Sequence, residues 1–178
     1  SVAYIDPTRR SARDFFSMPI LRQNKKDEKF YLTDCIFCQK SSIDLYDDIV
    51  TKIRKNKITR LVVEENIDGS LAEVIKIKLK AAGVKWCDVM TKYNTVNKAQ
   101  RIANLAGTVK DNIVFPTKRR YAGRTQMSIF MNSLTQYSAD VSKNLHDDAP
   151  DSICGIAENF IFNQVNKNYV KTYKKLPF

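Results

Sequence analysis

The chain has a single histidine, His146, which excludes histidine-rich metal sites and argues against a Cys–His protease. It has four cysteines, and only Cys35 and Cys38 share the short spacing of a zinc or redox pair. No further pair lies nearby to complete a zinc site. Residues 29–39 also read as a strand, in which positions three apart face opposite sides. Four buried, reduced thiols are therefore expected. Five glycines occur in all, and no Gly-x-x-x-x-Gly-Lys-Ser/Thr, so ATP hydrolysis on a P-loop is not expected. No apolar run approaches the roughly 18 residues of a membrane-spanning helix. The first ten residues lack the charged-then-apolar order of a secretory signal. Internal repeats, low-complexity tracts and a clear linker are absent too.

What is present is a basic chain with enough apolar content to fold. Of 178 residues, 43% are hydrophobic, which is not a disordered composition. A chain of this length buries roughly 70% of its unfolded surface in one domain, without disulfides or zinc. Lys and Arg outnumber Asp and Glu by 30 to 19, a net charge of +11. Such a surface predicts an anionic partner, most often nucleic acid.

The pattern alternates strands and helices. Val2–Ile5 is a short apolar strand stopped by Pro7. A basic turn with Arg9, Arg10 and Arg13 leads to strand-like runs at 15–21 and 30–37, completing an antiparallel meander. Ile43, Tyr46, Ile49, Val50 and Ile53 recur at helical spacing, with acids early and bases late, as the helix dipole favours. Leu61-Val62-Val63 reads as a parallel strand buried on both faces. A helix from Leu71 to Gly83, a strand at 84–90, a short helix stopped by Gly107 and a brief strand at 113–115 follow. Helices around Met127–Tyr137 and from Pro150 to Ile161 close the chain, with a basic, aromatic tail at 167–178 after a body at 1–166. A meander followed by crossovers predicts an α/β fold: a mixed central sheet with helices on both faces.

Acids gather where these strands end, the usual place for a site in an open α/β sheet. Asp6 ends the first strand, Glu64 and Glu65 the fourth, and Asp147, Asp148 and Asp151 open the last helix. Hard divalent cations take several oxygen ligands at close quarters, and two of them can activate water and stabilise a leaving oxygen in phosphodiester cleavage. Glu64 and Glu65 face opposite ways along a strand, so one of them reaches such a site. Asp148 and Asp151 can share one side of a helical turn, with Asp147 directed elsewhere.

Three segments carry a resemblance: Tyr4-Ile5-Asp6-Pro7, Val63-Glu64-Glu65-Asn66-Ile67-Asp68-Gly69 and His146-Asp147-Asp148-Ala149-Pro150-Asp151-Ser152. With Asn97-Lys98-Ala99-Gln100-Arg101-Ile102 and Ile113-Val114-Phe115-Pro116, they resemble, in order, the nuclease domain of the large terminase subunit of tailed bacteriophages. Residues 63–69 are similar to that family's Glu-x-Asn-x-x-Gly strand end, and residues 146–152 to its His-Asp-Asp-Ala-x-Asp signature. The resemblance implies a ribonuclease-H-like fold and an endonuclease that cuts concatemeric double-stranded DNA with two Mg²⁺ or Mn²⁺. It implies Asp6, Glu64, Asp148 and Asp151 as catalytic and metal-binding residues, with Glu65, Asp147 and His146 as secondary candidates. It further implies a portal and a small terminase subunit as partners, no membrane, and a place at the viral prohead in the host cytoplasm. The family's ATPase motor is not encoded here, so an excised nuclease domain is expected.

Contacts to DNA are expected from Lys98 and Arg101, one helical step apart, and from Lys118, Arg119, Arg120 and Arg124, read as a basic hairpin that neutralises phosphates without reading bases. The competing expectations are a DNA-binding or portal-docking module without cleavage, and a junction resolvase of the same fold.

Overall fold

The computed structural model describes residues 1–8, 14–65, 70–138 and 140–162. Arg9, Arg10 and Arg13, residues 66–69 of the Glu-x-Asn-x-x-Gly motif, and the tail at 167–178 lie outside the described residues. Six strands form one sheet: β1 (Val2–Ile5), β2 (Phe16–Gln23), β3 (Phe30–Cys38), β4 (Arg60–Glu64), β5 (Asp88–Lys92) and β6 (Ile113–Val114). Their order is β5-β4-β1-β2-β3-β6. β2 pairs antiparallel to β1 and β3, whereas β4 runs parallel to β1, β5 to β4 and β6 to β3. Only β2 therefore opposes the other strands. This is the predicted mixed sheet, a meander extended by parallel strands.

Helices cover both faces. The α1 helix (Ser42–Asn56) and α2 (Leu71–Ala81) pack Leu45, Ile49, Ile53 and Ile75 against Ala3, Ile5, Ile20, Leu61 and Val63. On the other face α5 (Thr125–Gln136) and α6 (Asp148–Ile156) pack Phe130, Ile153 and Ile156 against Val2, Tyr4, Phe37 and Val62. The α3 helix (Lys98–Asn112) lies beside α6, where Ile102 and Leu105 meet Cys154. Alternation of side chains along β1 explains the division: Val2 and Tyr4 face α6, and Ala3 and Ile5 face α1.

Pro19 sits inside a central strand, where it removes one ladder donor; the register shifts immediately afterwards, between Ile20 and Leu21.

Several boundaries differ from the sequence-based expectation for local reasons. The fifth strand begins at Asp88 rather than Val84, because Val84 still belongs to the close of α2 and its N–H bonds to Leu79. The α3 helix continues through Gly107 to Asn112: Gly107 is exposed, and its roughly 1 kcal/mol propensity cost is offset by Leu105 and Val109 packing on either side. In α1 the buried stripe runs through Leu45, not Ile43, which is 64% exposed. The expected basic hairpin is instead one helical turn, α4 (Lys118–Tyr121), followed by a turn at Gly123. The last helix begins at Asp148 and widens into a π-helical segment, Ala157–Phe162. All four thiols are free, but only Cys35 and Cys154 are buried; Cys38 and Cys87 are half-buried at element ends.

At Gly155 the α6 helix lies directly against the Tyr4 ring of β1. A Cβ there would lie 2.6 Å from the Tyr4 ring. Gly155→Ala is therefore expected to lower stability by about 1–3 kcal/mol through overpacking, read as a lower denaturation midpoint. An unchanged midpoint would show that α6 can ride higher on β1.

Candidate metal centre

The register of β1 on β4 builds the centre. Ile5 pairs with Val63, so the next residues of the two strands, Asp6 and Glu64, arrive side by side at the carboxyl ends. Both follow the alternation of Tyr4 and Val62, toward α6. Asp6 is held by reciprocal backbone bonds with Ser17, at 2.9 and 3.1 Å. The first turn of α6 then lowers Asp151 onto them, with the helix seated by a 2.7 Å contact between the Ser152 and Ser17 hydroxyls.

Asp6, Glu64 and Asp151 each offer a carboxylate oxygen, and these oxygens lie within 4.8 Å of one another. Their residues are 4%, 5% and 0% exposed, so three carboxylates share a site almost without water. Tyr4 donates its hydroxyl to Glu64 Oε2, and Asn94 Nδ2 reaches the same oxygen at 2.8 Å. Arg101 Nε donates to Asp151 Oδ1 at 2.7 Å, one of its terminal nitrogens pairs with Asp151 Oδ2, and that nitrogen lies 3.4 Å from Glu64 Oε2. The Lys98 ammonium lies 3.1 Å from Asp6 and 3.4 Å from Asp151.

The electrostatics follow from burial. Loss of water pushes the Asp6 carboxyl up to about 7, with Lys98 opposing and Asp151 and Glu64 adding to the shift. Burial also raises Asp151, against Arg101 and Lys98, and raises Asp148, against the Phe15 N–H and Lys98. Burial works against the Lys98 charge, but the surrounding aspartates outweigh it and hold its pKa above the ordinary lysine value.

For Asp6 the sign is definite. The folded chain binds this proton more tightly than the unfolded chain, whose carboxyl titrates near 3.8. The contribution of Asp6 to the stability of the cation-free fold therefore falls as pH rises from about 4 to about 7. A cation on ionised Asp6 would offset that loss, so if Mn²⁺ binds here the rise in melting temperature is expected to be larger at pH 8 than at pH 5. An equal or larger rise at pH 5 would contradict this.

The remaining sequence candidates are distributed around this group. Asp148 is beside it: one oxygen accepts the Phe15 N–H at 3.0 Å and the other lies 3.5 Å from Lys98. Asp147 is on the rim, 3.7 Å from Lys98. His146 sets its ring edge-on to Phe15, 5.1 Å between centroids. Glu65 continues the pairing with its N–H on Lys92, at 3.0 Å, while Glu64 enters the group of three.

One of the expected DNA contacts needs correction. Arg101 is 4% exposed and bound to Asp151, so it does not face a DNA backbone. Lys98 also lies over the acids, but with its side chain 39% exposed. Basic residues at a helix start read as outward-facing by default. The signal for the opposite orientation was the position of Arg101 next to Ile102 and one turn before Leu105, on the side that meets α6. Arg124 is exposed but lies 3.4 Å from the buried Asp34, which also binds Lys52 at 2.6 Å. Lys118, Arg119 and Arg120 are exposed to solvent on α4. Tyr4 and Asn94 hold Glu64, and Asn94 is not evident from the sequence pattern. Tyr4 was legible in principle, since it lies two residues before Asp6 on the same strand face.

The donor set is carboxylate oxygen alone, without histidine or thiolate, and suits a hard divalent cation such as Mg²⁺ or Mn²⁺.

No family profile matches the sequence, and neither does any curated protein. Among solved structures, the fowlpox virus Holliday junction resolvase is similar with a TM-score of 0.51 at 11% identity, covering 88% of this chain and 95% of that one. The same resolvase in complex with Holliday junction DNA gives 0.49 at 10% identity, covering 90% and 98%. Thermus thermophilus RuvC gives 0.44 at 14% identity, covering 88% and 92%. At such identities the likeness concerns the fold: the chain has the ribonuclease-H-like α/β architecture expected from its sequence.

Proposed function

We propose that this chain is a divalent-metal-dependent endodeoxyribonuclease. The observation that carries the proposal is the convergence of Asp6, Glu64 and Asp151, three buried carboxylates from three elements, with oxygens within 4.8 Å. A buried acidic group of this kind costs folding energy unless a cation offsets it, so it has a purpose beyond solubility. These three residues would hold Mg²⁺ or Mn²⁺, which when bound activates water and stabilises charge on a phosphodiester. The protein's own contribution is orientation. Tyr4 and Asn94 fix one Glu64 oxygen, and the Phe15 N–H fixes Asp148.

DNA is the substrate that the +11 charge favours. Lys118, Arg119 and Arg120 are the outward-facing basic residues we assign to the backbone. Changing all three to alanine is expected to reduce the salt slope of DNA binding by about 2–3, close to 0.9 per lost phosphate contact. Arg124 is left out because Asp34 holds it. An unchanged slope would remove α4 from the interface.

Two kinds of DNA substrate remain in play, each favoured by a specific observation. The likeness to the fowlpox resolvase, which spans 95% of that chain, favours a branched junction. The motif order from Asp6 through Glu64 to residues 146–151 favours the packaging reading: cleavage of concatemeric viral DNA at the prohead, with a portal and small terminase subunit as partners. Purified chain with Mn²⁺, given a supercoiled plasmid and a four-way junction in parallel, separates them. Symmetric cuts confined to the junction would support the resolvase; comparable cutting of plain duplex would support the packaging nuclease. Failure to cut either in Mn²⁺ or Mg²⁺ would reject the nuclease and leave a binding module.

A further inference from the structure

A cavity of about 300 Å³ opens beside the metal centre, between α5 and the loop that precedes α6. Phe15 and Phe37, stacked with their ring centroids 4.4 Å apart, line its aromatic side. One side of α5 supplies Ile129, Asn132, Ser133 and Gln136. The Ser133 hydroxyl oxygen is buried and, among the described residues, has no hydrogen-bond partner. Two features tie the cavity to the centre. The Phe15 N–H holds Asp148 at 3.0 Å, and a smaller cavity of about 130 Å³ is lined by Leu145, His146, Asp147 and Asp148.

Leu145 lines both cavities and is 93% exposed. The chain leading to it is braced. Asn144 accepts the Ser138 N–H at 2.7 Å and donates to the Ser138 carbonyl at 2.8 Å. Asp140 accepts the Ser142 hydroxyl at 2.7 Å and pairs with Lys143 at 3.1 Å. A lone exposed leucine is ordinary on a protein surface. This one is presented to solvent three residues before Asp148, between an aromatic cavity and a group of buried acids. Apolar side chains of this kind enter DNA between base steps and unstack them.

We infer that Leu145 is a wedge that enters the base stack beside the phosphate to be cut, and that the cavity behind it receives the nucleobase so displaced. The inference rests on the nuclease reading above. The lining suits a base of any identity. Aromatic rings offer a stacking partner, and every base has a face to stack. The side-chain amides of Asn132 and Gln136 each carry a donor and an acceptor, and the Ser133 hydroxyl serves as either. The Phe15 ring lines the cavity while its backbone holds Asp148, so a base lodged there lies next to the phosphate presented to the acids.

The test uses the DNA, duplex or four-way junction, that the full chain cuts in Mn²⁺. It is prepared fully paired and with a single mismatch, and rates are read at the phosphates flanking that position. Leu145 and Asn132 are exposed, so changes at both should leave the fold intact. Leu145→Ala is expected to cut the paired form about tenfold more slowly and the mismatched form within about twofold of wild type, because a mismatch has already weakened the stack. Asn132→Trp, which fills the cavity from α5, should slow both forms, since the displaced base then has no place to lodge. No loss in Leu145→Ala, or an equal loss on both forms, would overturn the wedge. Wild-type rates in Asn132→Trp would overturn the cavity as the receiver. Either result leaves the nuclease reading intact. No cutting of any form by the wild-type chain would overturn the inference together with that reading.

Discussion

Asp6→Ala is expected to abolish metal-dependent cleavage while making the cation-free chain more stable above pH 7. The activity loss should reach at least the order of 10²–10³-fold, the scale for removing one principal electrostatic group from a reaction centre. The gain in stability has a separate origin. Asp6 is buried with its carboxyl pushed up to about 7, so above that pH the fold carries an ionised group that water would solvate better. Alanine removes that burden. A structural residue would lose activity and stability together, whereas Asp6 should show opposite signs. Loss of both at pH 8 would mean that Asp6 supports the fold and that its place among the acids is incidental.

Arg101→Ala should give the largest loss of stability of any single change considered for this chain, about 3–5 kcal/mol, because it strands the partners of a buried ion pair. Among the described residues, Lys98 would be the one cation left beside Asp151, which has 0% exposure, and Glu64 would lose one of its donors. Chemical denaturation measures the effect. Saturating Mn²⁺ should recover part of it, since an ion that binds only the folded chain stabilises it by mass action. Lys118→Ala, on the exposed α4, should stay within about 0.5 kcal/mol of wild type. Similar small losses for both variants would show that Arg101 is not the internal counter-ion described here.

Much of this was legible in the sequence, for reasons that are local. The apolar run Leu61-Val62-Val63 announced a strand buried on both faces, and its pairing with β1 made Asp6 and Glu64 neighbours. The 3-residue step from Asp148 to Asp151 showed that α6 could present acids on one side of a turn, although only Asp151 enters the group of three. What the sequence leaves hidden depends on tertiary contacts. The inward turn of Arg101 is set by how α3 packs on α6, which no spacing within α3 determines alone. Val84 is as apolar as a strand residue but serves as the closing hydrogen-bond donor of α2. The helical conformation of residues 118–121 replaced a hairpin because that basic run carries no alternation to hold it in a sheet. The pairing of Arg124 with Asp34 joins residues 90 apart, a relation that charge counting along the chain does not reveal.

The central claim, that Asp6, Glu64 and Asp151 form a divalent-metal centre, is tested most directly by the anomalous difference map of a crystal soaked in Mn²⁺. A peak bounded by these three carboxylates, with Lys98 moved out of their midst, is the result expected. A map with no peak there, or with Mn²⁺ confined to surface carboxylates such as Asp47 and Asp140, would contradict it.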